Sequence, residues 1–436
     1  MMTTKLTLNI MKKIKKQIFD YNFLESNRVS KKTFTRNRKL PFSSLILFMI
    51  NLVKQTLQKE LTQFIQIFSK NKFENISKSA FCQSRLNLKP EAFKQLNQTI
   101  LDEFYKNSIS YKTWNNFRIL SIDGSTTQLP ISSKIISHFG VAKNHTPNEI
   151  PIARISTLFD VLNNKIVDSQ INKFEIGEYD LALNHLNFIN KNDLLLADRG
   201  YGAIWLFQYT LSLKSNFVIR ISKTFLKKYY NKLLKSSKFS MVINIDDCTK
   251  KSKLRLEKLG LKFNSFSLRL VKVILDSGEV EILATSLVDE KKFPCEIFKE
   301  LYFKRWGIET NYGHLKQNIQ IENFTGKSVI SIEQDFYASC FISNLQSLII
   351  NDVQEELIKE GKETKYMYKI NQNLSLGFLK HQVVKIILGE NQKENYEKLK
   401  KLFQIEKVPI RKNRKFPRKK FKRHDLCNLE KLITNF

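Results

Sequence analysis

The feature that most constrains the fold of this chain is the segment from residue 302 to residue 316, Tyr-Phe-Lys-Arg-Trp-Gly-Ile-Glu-Thr-Asn-Tyr-Gly-His-Leu-Lys. It places Tyr302, Arg305, Glu309 and Lys316 at offsets of 0, 3, 7 and 14. An α-helix turns by roughly 100° per residue, so these side chains fall within a sector of about 60°. The segment therefore predicts a helix that presents a carboxylate, two cations and a phenol on one face. A metal-binding carboxylate between phosphate-binding groups suits phosphodiester chemistry.

Two short apolar runs elsewhere in the chain each end in an aspartate. Residues 117–123 read Phe-Arg-Ile-Leu-Ser-Ile-Asp before a glycine, and residues 193–198 read Asp-Leu-Leu-Leu-Ala-Asp before Arg-Gly-Tyr. Such runs are typical of strands that are covered on both faces. Because ligands of α/β sheets gather at the carboxyl ends of the strands, Asp123 and Asp198 are expected to converge.

The segment 302–316 resembles the Tyr-Arg-Glu-Lys signature of DDE transposases of the insertion-sequence-four family. The residues around Asp123 and Asp198 resemble the first and second aspartate motifs of that family. The resemblance implies a ribonuclease H-like α/β core with a mixed sheet, in which Asp123, Asp198 and Glu309 are the catalytic residues. It also implies that these three carboxylates bind two Mg²⁺ ions, for which Mn²⁺ can substitute, since both ions prefer oxygen ligands.

The same resemblance implies that the partner is double-stranded DNA, both the ends of the mobile element and the target. Water would first cut at the element end, and the freed 3′-hydroxyl would then attack the target. Because two ends must be joined, a homodimer is expected in the synaptic complex. The side chains expected to bind DNA are Tyr302, Arg305, Lys316, Arg199 and Arg85.

Arg85 belongs to a separate pattern near the N-terminus. Residues 77–94 are predicted to form a helix, a tight turn and a second helix with several basic side chains, an arrangement that can bind DNA ends. An ordinary helical hairpin with a solvated basic face explains the pattern equally well.

The charge of the chain also indicates a polyanionic partner. There are 73 Lys and Arg residues against 41 Asp and Glu, which gives a net charge of +32. Residues 1–40 contain eleven of these cations, and residues 411–423 contain nine and no acid. The longest apolar run, residues 45–50, is too short to cross a bilayer, and no secretory signal peptide is visible. These features predict a cytoplasmic, nucleoid-associated protein that has no membrane partner.

The spacing of the acids predicts an insertion. Asp198 and Glu309 are 111 positions apart, whereas one further βα passage needs only about 30 residues. Alternating apolar residues between 224 and 290 predict that the insertion is an antiparallel β structure. The predicted regions are a helical, basic DNA-end-binding region (1–112), the first part of the core (113–223), the β-rich insertion (224–290), the second part of the core (291–350) and a helical, basic region for DNA binding or dimerisation (351–436).

Two other functions remain compatible with the sequence at this point. One is a decayed, non-enzymatic DNA-binding regulator of transposition, and the other is a stand-alone metal-dependent DNA nuclease. The intact set of three acids argues against the regulator. Strand transfer by the purified protein separates the transposase from both alternatives.

The basic run at 411–423 leads to the first prediction. Its cations should release counterions from DNA, so deletion of residues 408–436 should reduce the slope of log affinity against log salt concentration. Titrations of labelled DNA at several salt concentrations measure that slope. An unchanged slope would show that the tail does not contact DNA.

Overall fold

The computed structural model describes eight stretches of the chain: residues 2–36, 40–51, 55–68, 76–106, 111–142, 150–359, 366–389 and 391–411. Residues 412–423, which carry most of the basic tail, lie outside the described residues. The last described strand spans 407–409, so a deletion that starts at residue 412 tests the tail without removing that strand.

The secondary structure is mixed α/β. The strands are β1 (Arg118–Gln128), β2 (Ile152–Asp160), β3 (Lys165–Lys173), β4 (Asp193–Ala197), β5 (Asn216–Arg220), β6 (Ser240–Ile245), β7 (Phe266–Ile274), β8 (Val280–Thr285), β9 (Tyr368–Ile370) and β10 (Lys407–Pro409). The helices are α1 (Met2–Ile18), α2 (Tyr21–Asn27), α3 (Phe42–Ile50), α4 (Leu57–Phe68), α5 (Lys78–Arg85), α6 (Glu91–Lys106), α7 (Ser133–Phe139), α8 (Glu178–Leu186), α9 (Ile204–Ser212), α10 (Lys227–Lys235), α11 (Lys250–Lys258), α12 (Ile297–Phe303), α13 (Trp306–Gly313), α14 (Val329–Lys359), α15 (Gln372–Leu379), α16 (Gln382–Leu388) and α17 (Gln392–Ile405).

Eight of the strands form one sheet in the order β3-β2-β1-β4-β5-β8-β7-β6. β1 pairs antiparallel with β2 and parallel with β4, and β4 pairs parallel with β5. Three antiparallel strands followed by two parallel strands, with helices between the latter, is the ribonuclease H-like arrangement. The predicted fold class is therefore confirmed.

The segment predicted as an insertion extends this same sheet. β8 pairs antiparallel with β5, and β7 and β6 continue antiparallel beyond it. The strands are antiparallel, as predicted, but they share the hydrogen-bond ladder of the core and the segment also contains α10 and α11. Helices α10 and α11 lie on the same side of the sheet as α8 and α9. Leu233 of α10 and Leu256 of α11 belong to the same apolar cluster as Leu186 of α8 and Leu206 of α9.

The segment that contains Glu309 departs from the single helix that its periodicity predicts. It forms α12, a break at Lys304 and Arg305, α13, and then a π-helix over His314–Asn318. The segment packs tightly against the turn after β2 at Gly307. A Cβ at this position would lie 3.3 Å from the side chain of Val161 in that turn. The glycine lets the helix approach the sheet closely, which offsets its cost of about 1 kcal/mol relative to alanine.

The long helix α14 connects the N-terminal helices to the sheet. Asn344, in its buried middle, donates to Asn97 Oδ1 of α6 at 2.7 Å and to the Ile166 carbonyl of β3 at 2.8 Å. Its Oδ1 accepts from the Ile166 amide at 2.7 Å. One side chain thus fixes three elements that are distant in sequence. None of the described helices has the length and apolar character needed to cross a bilayer.

Arg85 requires a correction to the predicted DNA-binding set. Its residue is 1% exposed, and its guanidinium forms an ion pair of 2.7 Å with Asp335 and donates to Gln334 Oε1 at 2.9 Å. It also donates to Thr325 Oγ1 at 2.7 Å. A buried guanidinium with these internal partners holds α5 on α14 and is not available to a phosphate. The helix-and-turn pattern did not reveal this role.

We expect Arg85→Ala to lower the free energy of unfolding by about 3–5 kcal/mol, because it leaves the mostly buried Asp335 carboxylate with hydrogen bonds from Thr325 but without its ion-pair partner. Lys78→Ala, at the exposed start of the same helix, is the matched control and should have an effect near zero. Urea titrations followed by circular dichroism measure both. Equal stabilities for the two variants would contradict the structural role of Arg85.

Candidate catalytic site

Asp123 and Asp198 lie at neighbouring strands, each just beyond the residues through which β1 and β4 pair, but β1 does not end at Asp123 as the apolar run predicts and continues well past it. The β1–β4 pairing ends at Ser121 opposite Leu196, so Asp123 extends just beyond it, and Asp198 directly follows β4. Each carboxylate is oriented by a local hydrogen bond. Asp123 Oδ1 accepts from the Gly124 amide at 2.9 Å, and Asp198 Oδ1 accepts from the Gly200 amide at 2.8 Å.

Glu309 reaches this place on α13, which packs against β1. Its carboxylate is 37% exposed and forms an ion pair of 2.8 Å with Arg305, one helical turn earlier. The guanidinium of Arg305 is mostly buried and lies over the rings of Tyr302 and Trp306, at 5.7 and 5.3 Å from their centroids. Stacking on both rings limits the orientations that Arg305 can adopt.

The three acids influence one another electrostatically. The pKa of Asp123 is raised to about 7, mainly by burial and to a smaller extent by the carboxylates of Asp198 and Glu309, while the Gly124 amide and Arg305 lower it. Asp123 is therefore close to half protonated at neutral pH. A cation placed among these groups would favour the ionised form of all three.

The donor chemistry of the site fits Mg²⁺, which prefers carboxylate oxygens. Within the described residues, however, no three acidic, histidine or cysteine side chains are close enough together to hold a metal ion. The Arg305–Glu309 ion pair is a reason, since it directs the Glu309 carboxylate toward the guanidinium.

Two of the predicted DNA-binding side chains have internal partners. Tyr302 is 7% exposed, and its hydroxyl donates to the Ala197 carbonyl at 3.2 Å. Burial raises its pKa, so it stays a neutral donor. Lys316 is half-buried and donates to Ser125 Oγ at 3.0 Å and to the Thr126 carbonyl at 2.7 Å. The geometry assigns Tyr302 to holding the helix, whereas the side chain of Arg199 is exposed beside Asp198.

Sequence reasoning missed several side chains around Asp123. The Tyr312 hydroxyl donates to the Asp123 carbonyl at 2.8 Å. Glu178, at the start of α8, lies where a Cβ on Gly124 would be only 3.1 Å from its Cγ, and it pairs with Arg154 at 3.0 Å. The spacing of Tyr312, three residues after Glu309, was the one available signal, because it places both on the same helical face.

The sequence of this chain matches a known protein family and a known transposase. The family described as "Transposase DDE domain" matches residues 114–345, a range that contains Asp123, Asp198 and Glu309. The transposase InsG for insertion sequence element IS4 from Escherichia coli (strain K12) is 22% identical over 395 residues, which cover 88% of this chain and 86% of that protein. A cryo-EM structure of the piggyBac transposase synaptic complex with hairpin DNA aligns with a TM-score of 0.41 and 13% identity, over 92% of this chain and 84% of that one.

The raised pKa of Asp123 predicts a pH-dependent response to Mg²⁺. Below a pH of about 7 the folded protein holds a proton on Asp123, and above it the site gains a third negative charge that a divalent cation relieves. Mg²⁺ should therefore raise the Tm more at about pH 8 than at about pH 6. Thermal melts with and without Mg²⁺ measure the difference, and Asp123→Asn, which cannot ionise, should abolish it. Equal shifts at both pH values in the unmodified protein would contradict the prediction.

Proposed function

Because this chain belongs to the family of DDE transposases, and within it is related to the IS4 transposases, we propose that it cuts the ends of its own insertion sequence and joins them to target DNA. The resemblance inferred from the sequence is thereby confirmed at the level of the family. The finer proposal is that the protein binds the terminal inverted repeats, hydrolyses the DNA at each end and transfers the 3′-hydroxyls to the target.

The single observation that carries this proposal is the position of Asp123, Asp198 and Glu309. They come from two strands and a helix that are far apart in sequence, yet both Asp198 and Glu309 influence the ionisation of Asp123. Structural ion-pair networks also perturb acids, but they combine opposite charges. Here three acids lie beside the guanidinium of Arg305, so acidic groups are in excess, which is typical of a cation-binding catalytic site.

We assign the binding of two Mg²⁺ ions to these three carboxylates, with Mn²⁺ as a substitute. When bound, such ions activate the attacking oxygen and stabilise the leaving oxygen of a phosphodiester. The protein contributes the orientation of the ligands. The amides of Gly124 and Gly200 hold the aspartates in place, and Asp123 must lose its proton before it can serve as a ligand.

Arg305 is kept as a proposed contact with the DNA backbone although its guanidinium is mostly buried. Its guanidinium can bind a phosphate through two parallel hydrogen bonds, but in the protein alone it is paired with Glu309. A phosphate would compete with Glu309 for Arg305, and the glutamate would then turn toward the aspartates. DNA binding and completion of the site would be coupled in this way. Arg199, which is exposed, and Lys316, which is half-buried, remain proposed DNA contacts.

The partners and location follow from the same proposal. A net charge of +32 favours double-stranded DNA, both element ends and target. Joining two ends in one event favours a homodimer in the synaptic complex. We place the protein in the cytoplasm, associated with the nucleoid.

Substitution of the three acids tests the chemistry. Asp123→Ala, Asp198→Ala and Glu309→Ala should each abolish cleavage of an end-labelled DNA fragment while leaving its binding within about twofold, because metal ligation is separate from most phosphate contacts. Asp246→Ala, an exposed acid in the turn after β6, is the matched control and should cleave normally. Gel-shift and cleavage assays on the same DNA measure both properties. Full cleavage by any one of the three variants would remove that residue from the site.

The same preparation distinguishes the transposase from the alternative functions. Incubation of pre-cleaved ends with a supercoiled plasmid should yield joined products. A nuclease would cut the DNA without joining it, and a decayed regulator would bind without cutting.

A further inference from the structure

Glu309 is far along the chain from β1 and β4, the strands associated with Asp123 and Asp198. Tertiary contacts must therefore fix its position relative to these strands. The regular helix that carries it, α13, has only eight residues, with a break before it and a π-helix after it. A short helix held by apolar contacts alone can shift along a sheet, because such contacts are not directional. Something directional must therefore fix its register.

Two tyrosines of this segment supply directional contacts to the strands that carry the aspartates. Tyr302 donates to the carbonyl of Ala197, the residue immediately before Asp198, at 3.2 Å. Tyr312 donates to the carbonyl of Asp123 itself at 2.8 Å. Each hydroxyl is thus bonded to the backbone at, or directly beside, one catalytic aspartate.

Tyr312 makes the more direct of the two connections. It is 6% exposed and lies three residues after Glu309, on the same side of α13. Its hydroxyl joins the main chain of Asp123 to the helix of Glu309 through a single hydrogen bond. Burial raises the pKa of Tyr312, so the hydroxyl remains a neutral donor at every pH at which the protein works.

The Asp123 carbonyl of β1 also accepts a hydrogen bond from the neighbouring strand β2. Ser156 of β2 donates from Oγ to the Asp123 carbonyl at 3.2 Å. His185 Nε2 lies 2.9 Å from that Oγ, and its Nδ1 lies 2.6 Å from Asp168 Oδ2. The Asp123 carbonyl therefore has a partner in β2 as well as in α13. These contacts hold the Asp123 backbone independently of α13.

We propose that Tyr312 is a positioning residue, which sets the separation of Glu309 from Asp123 through its hydrogen bond to the Asp123 carbonyl and so preorganises the acids for divalent cation. The inference rests on the proposed function, since it concerns the same site. Tyr312 itself does not touch the reacting atoms. Its loss is expected to weaken cation binding without weakening DNA binding.

Tyr312→Phe removes the hydroxyl and keeps the ring. One neutral hydrogen bond corresponds to roughly a three- to tenfold effect, so Mn²⁺ affinity should fall by about that factor. The Mn²⁺ concentration for half-maximal cleavage should rise in parallel, and saturating Mn²⁺ should restore most of the rate. The affinity for the DNA end should stay within about twofold of the unmodified protein. Electron paramagnetic resonance of free Mn²⁺ measures cation binding without reference to activity.

Tyr396→Phe is the matched control. Tyr396 is also a buried tyrosine whose hydroxyl donates a hydrogen bond, 2.7 Å to Asp352, but it lies on α17 in the C-terminal helices. Both variants should lose some thermal stability, and only Tyr312→Phe should change Mn²⁺ binding. Identical Mn²⁺ affinities for the two variants would overturn the inference.

Asp123→Ala in the same Mn²⁺ titration separates this inference from the proposed function. If Asp123→Ala loses Mn²⁺ binding and Tyr312→Phe does not, the positioning role fails and the proposed catalytic site stands. If Asp123→Ala binds Mn²⁺ like the unmodified protein, the proposed metal site fails and the role of Tyr312 fails with it.

Discussion

Mutual repulsion of three carboxylates is the constraint on which the rest of the catalytic core depends. Asp123, Asp198 and Glu309 lie near one another although the carboxylates of Asp198 and Glu309 make the ionisation of Asp123 less favourable. Nothing in the acids themselves holds them there. Other contacts of the folded chain must hold the three acids together. The hydrogen bonds between β1 and β4 and the hydroxyls of Tyr302 and Tyr312 are neutral contacts that do so.

The neutral character of these contacts matters for function. An additional lysine or arginine among the acids would remove the repulsion but would also compete with a cation for the carboxylates. Arg305 is the exception, and it is held against Glu309. Acidic groups thus remain in excess, and on the proposed function Arg305, Arg199 and Lys316 are left to bind the nucleic acid.

Sequence alone predicted the components of the site better than their supports. The apolar runs before Asp123 and Asp198 predicted two adjacent strands, because covered strands have a distinct composition, and the structure has them as β1 and β4. The helical offsets of Glu309 identified its face, but not the break at Lys304 or the π-helix, which result from tertiary contact with Val161 and the sheet.

Buried polar groups were the main source of error. Arg85 was predicted to bind DNA because a cation on a short helix is normally exposed, and Asp335, its partner, is 250 positions further along the chain. Tyr302 was predicted to contact DNA from the family resemblance, and in the protein alone its hydroxyl donates to the Ala197 carbonyl. Local spacing carries no information on such distant partners, so a sequence pattern cannot distinguish a phosphate ligand from a structural ion pair.

The continuity of the insertion with the core sheet also bears on solubility. Without β8, the apolar strand β5, with Phe217, Val218 and Ile219, would be a free sheet edge with unpaired amides and carbonyls. Such edges template aggregation. The added strands move the edge to β6, which is six residues long, partly polar and followed by Asp246 and Asp247. A chain shortened between residues 224 and 290 would therefore expose β5 as an apolar edge strand that is prone to aggregation.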